Sequence, residues 1–165
     1  MLARKPFTRI GRSSPTSPTY DLRVGGERIS LKTETGVGTS RRTIQITKLC
    51  TTEREPWGPA ELIGRAMSHL SKYDHILMLR AIWEDPVIDY QLVDVPVSLL
   101  RRLASASLEP VGRRRGRKSL GADVTSGGKI VFHIHFDASD GKCQIRNLRL
   151  SSCNLLHDWQ LHIPP

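Results

Sequence analysis

The chain has 165 residues, the size of one ordinary domain, with 25 lysines and arginines against 16 acids and a formal net charge of +9. Hydrophobic residues make up 38% and charged residues 25% of the chain, values typical of a folded globular protein and not of a disordered one. No apolar run approaches the roughly 20 residues that cross a bilayer. The basic balance favours a polyanionic partner, with nucleic acid first and an anionic membrane surface second.

The first twenty residues are basic and contain no acid. We expect residues 1–18 to form a basic arm attached to a single domain, with contact to DNA or an organelle transit peptide as alternatives to a frayed terminus. The three cysteines, Cys50, Cys143 and Cys153, are odd in number and share no CxxC spacing. They predict free thiols in a reducing compartment, neither a disulfide framework nor a zinc site.

A hairpin is predicted near the start of the folded part of the chain. Two runs of strand-favouring residues, Tyr20–Val24 and Glu27–Glu34, are separated by Gly25-Gly26. Two glycines suit a two-residue turn because both positions take positive φ without steric cost. Residues 11–19 are polar and contain proline, so we expect a loop there. Thr43–Cys50 is predicted to be a third strand.

The rest of the chain mixes helices with strands. Residues 58–73 carry apolar side chains at three- and four-residue spacing, which predicts a helix that begins at Gly58 and Pro59. The remaining predicted elements are strands His75–Trp83 and Val87–Val95, a second helix near Pro96, a basic loop over 110–121, a hairpin of Lys129–Asp137 and Lys142–Leu150, and a strand Asp158–Ile163. This pattern predicts one α/β or α+β domain over residues 1–165, with a central mixed sheet flanked by helices.

The first hairpin divides its side chains between a polar and an apolar face. With Gly25-Gly26 as the turn, Asp21 lies directly opposite Ser30. Since side chains alternate along a strand, the polar face gathers Asp21, Ser30, Lys32 and Glu34. Metal-assisted phosphodiester hydrolysis uses groups of this kind, because carboxylates hold divalent ions and a lysine stabilises developing charge. The polar face is therefore the candidate active site.

These residues match a known pattern. Tyr20-Asp21-Leu22 followed by Ile29-Ser30-Leu31-Lys32-Thr33-Glu34 resembles the catalytic hairpin of the PD-(D/E)XK nuclease superfamily, particularly that of type II restriction endonucleases. The family has an acid on one strand, then an acid, any residue and a lysine on the next. Asp21 matches the first acid and Lys32 the lysine, whereas Ser30 stands where the family has Asp or Glu. Relatives with such a replacement recruit another carboxylate, and Glu34 is the nearest candidate, with Glu53 and Glu55 in a loop farther along the chain.

The resemblance implies a Mg²⁺-dependent endonuclease that hydrolyses double-stranded DNA as a homodimer in a bacterial cytoplasm. Asp21 and Glu34 are the expected metal ligands, Lys32 is expected to position the attacking water, and Ser30 is expected to lie in the site. Whether one or two metal ions bind stays open; Mg²⁺ requires only one or two protein carboxylates. A dimer is expected because two symmetric active sites cut both strands of a symmetric sequence most simply.

Two further sequence features bear on nucleic-acid binding. The densest basic run, interrupted by glycines, is predicted to contact DNA phosphates or guanine edges and consists of Arg113, Arg114, Arg115, Arg117 and Lys118. His133, His135 and Asp137 alternate along one predicted strand, so they face the same way. Such a row could ligate zinc or iron, but a polar sheet face near DNA is favoured, because no other ligand cluster accompanies it.

Two alternative functions fit the same composition. A basic domain could bind DNA or RNA through residues 110–118 and the N-terminal arm without catalysis, the hairpin being structural. An organelle-imported ribosomal or RNA-processing protein would lose its first twenty residues on import. The sequence has no glycine-rich phosphate loop and no GxSxG motif, so nucleotide-driven and serine-hydrolase chemistry have no support.

Overall fold

The computed structural model describes residues 11–12, 21–36, 38–52, 56–112 and 117–163. These residues form an α+β fold, which confirms the predicted class, but the strands divide between two sheets and do not form one central sheet. Among them, no helix is both long and apolar enough to cross a bilayer. The extent of the domain and the basic arm over residues 1–18 stay predictions.

The first sheet is mixed and has six strands in the order β1-β2-β3-β5-β6-β11. Strands β3 and β5 are parallel, and the chain between them passes through strand Thr43–Thr51 of the second sheet and helix Pro59–Leu70. The other strand pairs of the first sheet are antiparallel. Its strands are β1 (Gly11–Arg12), β2 (Leu22–Val24), β3 (Glu27–Thr35), β5 (His75–Glu84), β6 (Val87–Val95) and β11 (Asn154–His162). The predicted loop over 11–19 is therefore wrong at its start, where Gly11 and Arg12 pair with β2.

The second sheet is antiparallel and has five strands in the order β4-β10-β9-β8-β7. Its strands are β4 (Thr43–Thr51), β7 (Glu109–Val111), β8 (Ser119–Ser126), β9 (Lys129–Asp137) and β10 (Lys142–Arg149). The predicted loop over 110–121 is too long, because its two ends belong to strands β7 and β8, which pair with each other. Their glycines and charges hide the strand pattern in the sequence.

Helix α1 (Pro59–Leu70) lies where the periodicity predicts a helix. Pro59 occupies the first helical position, which has no hydrogen bond to lose, and Glu61 lies in the first turn, where the helix dipole favours an acid. Leu62, Ala66 and Leu70 recur every four residues and are buried. The second predicted helix is short: α2 (Val97–Leu100) continues as a 3₁₀ turn.

One hydrophobic core lies between the two sheets and α1. The first sheet contributes Ile76, Met78 and Val93 to it, and the second sheet contributes Phe132 and Ile145, all fully buried. Because side chains alternate between the two faces of a strand, each sheet has one face in the core and one outside it. The hairpin face that carries Ser30 and Lys32 is the inner face of the first sheet, since its residues pair in register with Ile76 and Met78.

A buried arginine lies at the junction of the two sheets. Arg80, on β5, is fully buried and ion-paired to Glu34 of β3, with 2.6 Å between Nε and Oε2. It also donates to the Oε1 atom of Gln91 on β6, at 2.7 Å, and to the carbonyl oxygens of Ser40 and Thr43 at 2.5 and 2.8 Å. This network satisfies a charge that burial alone would make very costly.

We expect Arg80→Met to lower the free energy of unfolding by about 3–5 kcal/mol, because it leaves the Glu34 carboxylate buried without its partner. Arg149→Met, at an exposed arginine of β10, is the matched control and is expected to change stability by less than about 0.5 kcal/mol. Urea denaturation followed by circular dichroism measures both values. A loss of under about 1 kcal/mol for Arg80→Met would mean that the network adds little to stability.

Candidate active site

Asp21 is held by the strand opposite it. The chain turns through Gly25 and Gly26, which have φ values of 59° and 94°, so Leu22 pairs with Ile29 as the sequence predicts. The backbone N–H of Asp21 donates to the carbonyl of Ile29 at 2.9 Å. Its Oδ2 atom accepts hydrogen bonds from the Ser30 hydroxyl at 3.2 Å and from the N–H of Leu31 at 2.6 Å. Ser30 thus orients the Asp21 carboxylate from the position where the family pattern has an acid.

Lys32 lies two residues beyond Ser30 on the same face and is half-buried. Burial is the main cause that lowers the pKa of its ammonium group, while the nearby Asp21 carboxylate opposes the shift and Lys48 adds to it. The polar face therefore brings a lysine of weakened basicity into electrostatic contact with Asp21. Such a lysine is suited to hydrogen-bond a water molecule or a phosphoryl oxygen.

The last turn of α1 and the segment after it supply two further side chains, His69 and Tyr73, whose polar role the sequence did not indicate. The Tyr73 hydroxyl lies 3.2 Å from Nε2 of His69, and the two rings meet edge to face with centroids 5.0 Å apart. Burial is the main cause that raises the pKa of Tyr73, with Asp21 adding to it, whereas a hydrogen bond with the Ser30 side chain opposes the shift. Tyr73 thus contacts the hairpin of the candidate site through Ser30. In the sequence, the aromatic ring of Tyr73 continues the apolar spacing of residues 58–73 and indicates only a core residue. The spacing of four residues between His69 and Tyr73 is the signal that could have indicated a polar pair.

His69 is neutral at neutral pH. Burial, followed by the charges of Lys32 and Lys72, lowers its pKa to about 4. A neutral imidazole retains one acceptor nitrogen and one N–H donor, so it can take part in the hydrogen bond with Tyr73 without adding a charge to the site. The same two lysines also lower the pKa of Cys50, although its hydrogen bond with Cys143 is the larger cause. Positive potential therefore converges on this end of β4 and α1.

Glu34 shares the face of Lys32 but is engaged elsewhere. Its Oε2 atom pairs with Arg80, and its Oε1 atom accepts a hydrogen bond from the backbone N–H of Gln45 at 3.0 Å. Both carboxylate oxygens thus have protein partners, and the side chain is only 8% exposed. Glu34 is therefore an ion-pair and hydrogen-bond partner inside the fold, which differs from the metal-ligand role expected from the sequence.

A groove of about 500 Å³ opens beside the site, between the end of β4 and the outer side of α1. Cys50 and His69 form its inner wall, and Arg65, Ser68 and Lys72 line it along the helix. Two cations and a hydroxyl in such a groove are suited to the phosphates of a nucleic-acid backbone. Glu61 lies at the other end of the groove.

The donor set of the site fits a hydrated magnesium ion. Asp21 supplies an exposed carboxylate, and Mg²⁺ keeps several waters while using one or two protein carboxylates and substrate phosphates. The described part of the chain contains no group of three or more His, Cys, Asp or Glu side chains that could hold a metal by themselves. Glu53 and Glu55, the other candidate carboxylates, lie outside the described residues.

The predicted DNA-binding run is only partly described. Arg113, Arg114 and Arg115 lie outside the described residues. The Arg117 guanidinium stacks over Trp57 at 5.4 Å, and the Trp57 indole N–H donates to the carbonyl of Lys118 at 3.0 Å. These contacts attach the end of the run to the segment that precedes α1.

Comparisons with known proteins identify the family of the chain. A family model described as type II site-specific deoxyribonuclease, SmaI, matches residues 8–161. The type II restriction enzyme SmaI of Serratia marcescens is 28% identical over 156 residues, which cover 92% of this chain and 63% of the relative. The chain therefore spans less than two thirds of the length of that relative. No solved structure matches the chain significantly.

Proposed function

The chain belongs to the SmaI family of type II site-specific deoxyribonucleases, and we propose that it acts as a Mg²⁺-dependent endonuclease on double-stranded DNA. The observation that carries this proposal is the hairpin: Asp21 is fixed by Ser30 and by the N–H of Leu31, with Lys32 on the same face. These are the positions at which the family pattern has its first acid, its second acid and its lysine. The net charge of +9 suits the phosphate backbone of DNA.

Asp21 is the residue that would hold the metal ion. When bound, Mg²⁺ supplies Lewis-acid stabilisation of the charge that develops on the phosphoryl oxygens. Asp21 suits this role because its Oδ2 atom is fixed by two donors of β3, so the carboxylate is oriented before any ion arrives. A residue held in this way loses little further freedom on binding.

Lys32 orients the attacking water and stabilises the phosphorane-like transition state. Water adds to phosphorus and gives up one proton to the solvent, one bridging P–O bond breaks, and the departing oxygen takes up one proton from the solvent. The half-buried ammonium of Lys32 donates hydrogen bonds to the incoming water or to a non-bridging oxygen, where partial burial strengthens the interaction. The pKa of Lys32 is lowered by burial, which eases the sharing of its proton with these oxygens.

Ser30, Tyr73 and His69 are positioning residues. The Ser30 hydroxyl donates to Asp21, and Tyr73 joins Ser30 to the imidazole of His69. These contacts run from His69 of α1 to the Asp21 carboxylate. They therefore fix the orientation of Asp21, which a carboxylate at the position of Ser30 would otherwise influence. Arg65 and Lys72, in the groove beside them, are suited to the phosphates next to the scissile one.

We further propose that the protein works as a homodimer in a bacterial cytoplasm. The dimer places one hairpin against each strand of a symmetric DNA site. The bacterial source of the relative supports the location.

A second candidate function is DNA binding without cleavage. The presence of Ser30 at the position of the second acid, together with the pairing of Glu34 with Arg80, favours it. Metal dependence separates the two functions: plasmid incubated with Mg²⁺ is cut into discrete fragments by a nuclease and stays intact in EDTA. A gel shift with no cutting under either condition would support the binding protein.

We expect Lys32→Ala to cut plasmid at least about a hundredfold more slowly than the wild type, because it removes a donor aimed at the transition-state charge. DNA binding is expected to weaken only modestly, since phosphate contacts are distributed over a basic surface. Lys129→Ala, at the exposed lysine that begins β9 in the second sheet, is the control and should cut normally. Cleavage by Lys32→Ala at the wild-type rate would refute the assignment of this hairpin.

The two carboxylates of the polar face are distinguished by a pair of isosteric changes. We expect Asp21→Asn to reduce cleavage at least about a hundredfold. Glu34→Gln should stay within about threefold of wild type despite a lower stability, because the amide oxygen of the new side chain still accepts from Arg80. Rates are measured over a series of Mg²⁺ concentrations at a temperature where both variants are folded. An equal loss in Glu34→Gln would restore Glu34 as a metal ligand.

Tyr73→Phe removes a hydroxyl and leaves the ring in place. We expect the Mg²⁺ concentration for half-maximal cleavage to rise about five- to tenfold, the effect of one hydrogen bond lost near the carboxylate, with the KM for DNA unchanged. Tyr90→Phe, whose ring stacks on Trp159 at the other side of the first sheet, is the control. A Tyr73→Phe enzyme with the wild-type Mg²⁺ requirement would show that the tyrosine only packs against the hairpin.

A further inference from the structure

The outer face of the second sheet is polar in its central strands. His135 pairs with Gln144 and His133 with Arg146, so these four side chains share one face of β9 and β10. The residues between them, such as Ile134 and Ile145, are buried in the core. None of the four side chains belongs to the proposed active site, which lies on the inner face of the other sheet.

Arg146 is held in a fixed orientation. Its Nε and Nη2 atoms both donate to the Oε1 atom of Gln144, at 3.0 and 2.7 Å. Two hydrogen bonds to one oxygen fix the guanidinium plane, and three of the five N–H groups remain for a ligand. The Gln144 amide NH₂ adds two donors beside them. A planar donor that is fixed on a strand is better suited to contact the edge of a base than to contact a flexible phosphate.

The histidines on this face are also oriented. His133 pairs through Nδ1 with Asp123 of β8 at 3.1 Å. Gly121 leaves room for this ring, because a Cβ atom there would lie 2.9 Å from Nε2 of His133 and 3.0 Å from the carbonyl of Ile134. The pKa of His135 is lowered mainly by burial and next by Arg146, so its ring is neutral and offers one donor and one acceptor.

A pocket of about 650 Å³ lies over this face. Arg117, Lys118 and Arg146 supply its cations, and His133 and His135 form part of its floor. Asp137 is the acid that lines it, and its Oδ1 atom accepts from the N–H and hydroxyl of Ser139 at 2.8 and 2.6 Å. The pocket therefore combines two kinds of side chain. Arg117 and Lys118 are exposed cations, whereas Arg146 and His133 are oriented by hydrogen bonds to neighbouring residues.

We propose that this pocket and the sheet face beside it read DNA sequence. Arg146 in the pocket and Gln144 next to it on β10 contact base edges in a groove of the duplex, while Arg117 and Lys118 contact the adjoining phosphates. The choice of duplex DNA as ligand rests on the proposed function. An arginine that donates twice to a guanine edge is a frequent base-specific contact, and a glutamine beside it can read an adjacent base. Arg117 and Lys118 are both exposed, so they can hold the backbone and fix the register.

The test uses the full chain without Mg²⁺, in EDTA and in Ca²⁺, so that it does not depend on cleavage. The preferred sequence is first selected from a library of randomised duplexes. Fluorescence anisotropy then gives the Kd for that duplex and for a scrambled one over a series of salt concentrations. The variants are Arg146→Ala, Arg146→Lys and Lys118→Ala, with Arg149→Ala as the matched control on the same strand.

We expect Arg146→Ala and Arg146→Lys to lower the ratio of preferred to scrambled affinity by about tenfold or more, with little change in the salt slope for Arg146→Lys. Lys118→Ala should weaken binding to both duplexes alike and reduce the salt slope by about 1. The proposal is overturned if Arg146→Ala keeps the wild-type ratio, if it weakens both duplexes equally, or if the wild type prefers no sequence. Cleavage lost in Lys32→Ala while Arg146→Ala keeps its preference would leave the nuclease standing and remove only this reading role.

Discussion

The buried charge of Arg80 is the constraint that joins the hairpin of the proposed active site to the rest of the fold. Its guanidinium pairs with Glu34 of β3 and Gln91 of β6, and it donates to the carbonyl of Thr43, where β4 begins. These contacts cross from the first sheet to the second, so the arginine fixes how the two sheets meet. Because Glu34 is two residues from Lys32 on the same face, the network also holds the register of the active-site strand.

The serine in the position of the second acid changes the electrostatics of the site. Two carboxylates a few ångströms apart repel each other and raise one pKa unless a cation separates them. Ser30 avoids this repulsion and donates to Asp21, so the carboxylate is oriented without a metal ion. Ser30 thus orients the Asp21 carboxylate where an acid would supply a second metal ligand. Tyr73 contacts Ser30 and His69 contacts Tyr73, so the side chain of Ser30 is itself held in place.

The parts of the fold that were predictable are the ones fixed by local chemistry. The Gly25-Gly26 turn sets the register that places Asp21 opposite Ser30, and α1 follows from its apolar spacing. The partner of Glu34 could not be predicted, because Arg80 lies 46 residues away and its burial depends on the packing of both sheets. The split into two sheets likewise rests on the long-range pairing of β4 with β10. Tyr73 was predicted only as a core residue, since an aromatic ring in an apolar stripe gives no sign of what its hydroxyl contacts.

The pairing of β4 with β10 brings the groove beside the proposed active site next to the strand that carries Gln144 and Arg146. Cys50, at the wall of the groove beside Asp21 and Lys32, pairs directly with Cys143 of β10. The next residue of β10 is Gln144, which faces outward because side chains alternate along the strand. If Gln144 and Arg146 contact bases as proposed, that contact acts on a strand that is hydrogen-bonded to β4, beside the proposed active site. Packed sheets transmit such shifts because their cores are dense and have little room to absorb them. The same pairing that builds the core therefore places the proposed reading face one strand away from the groove beside the proposed active site.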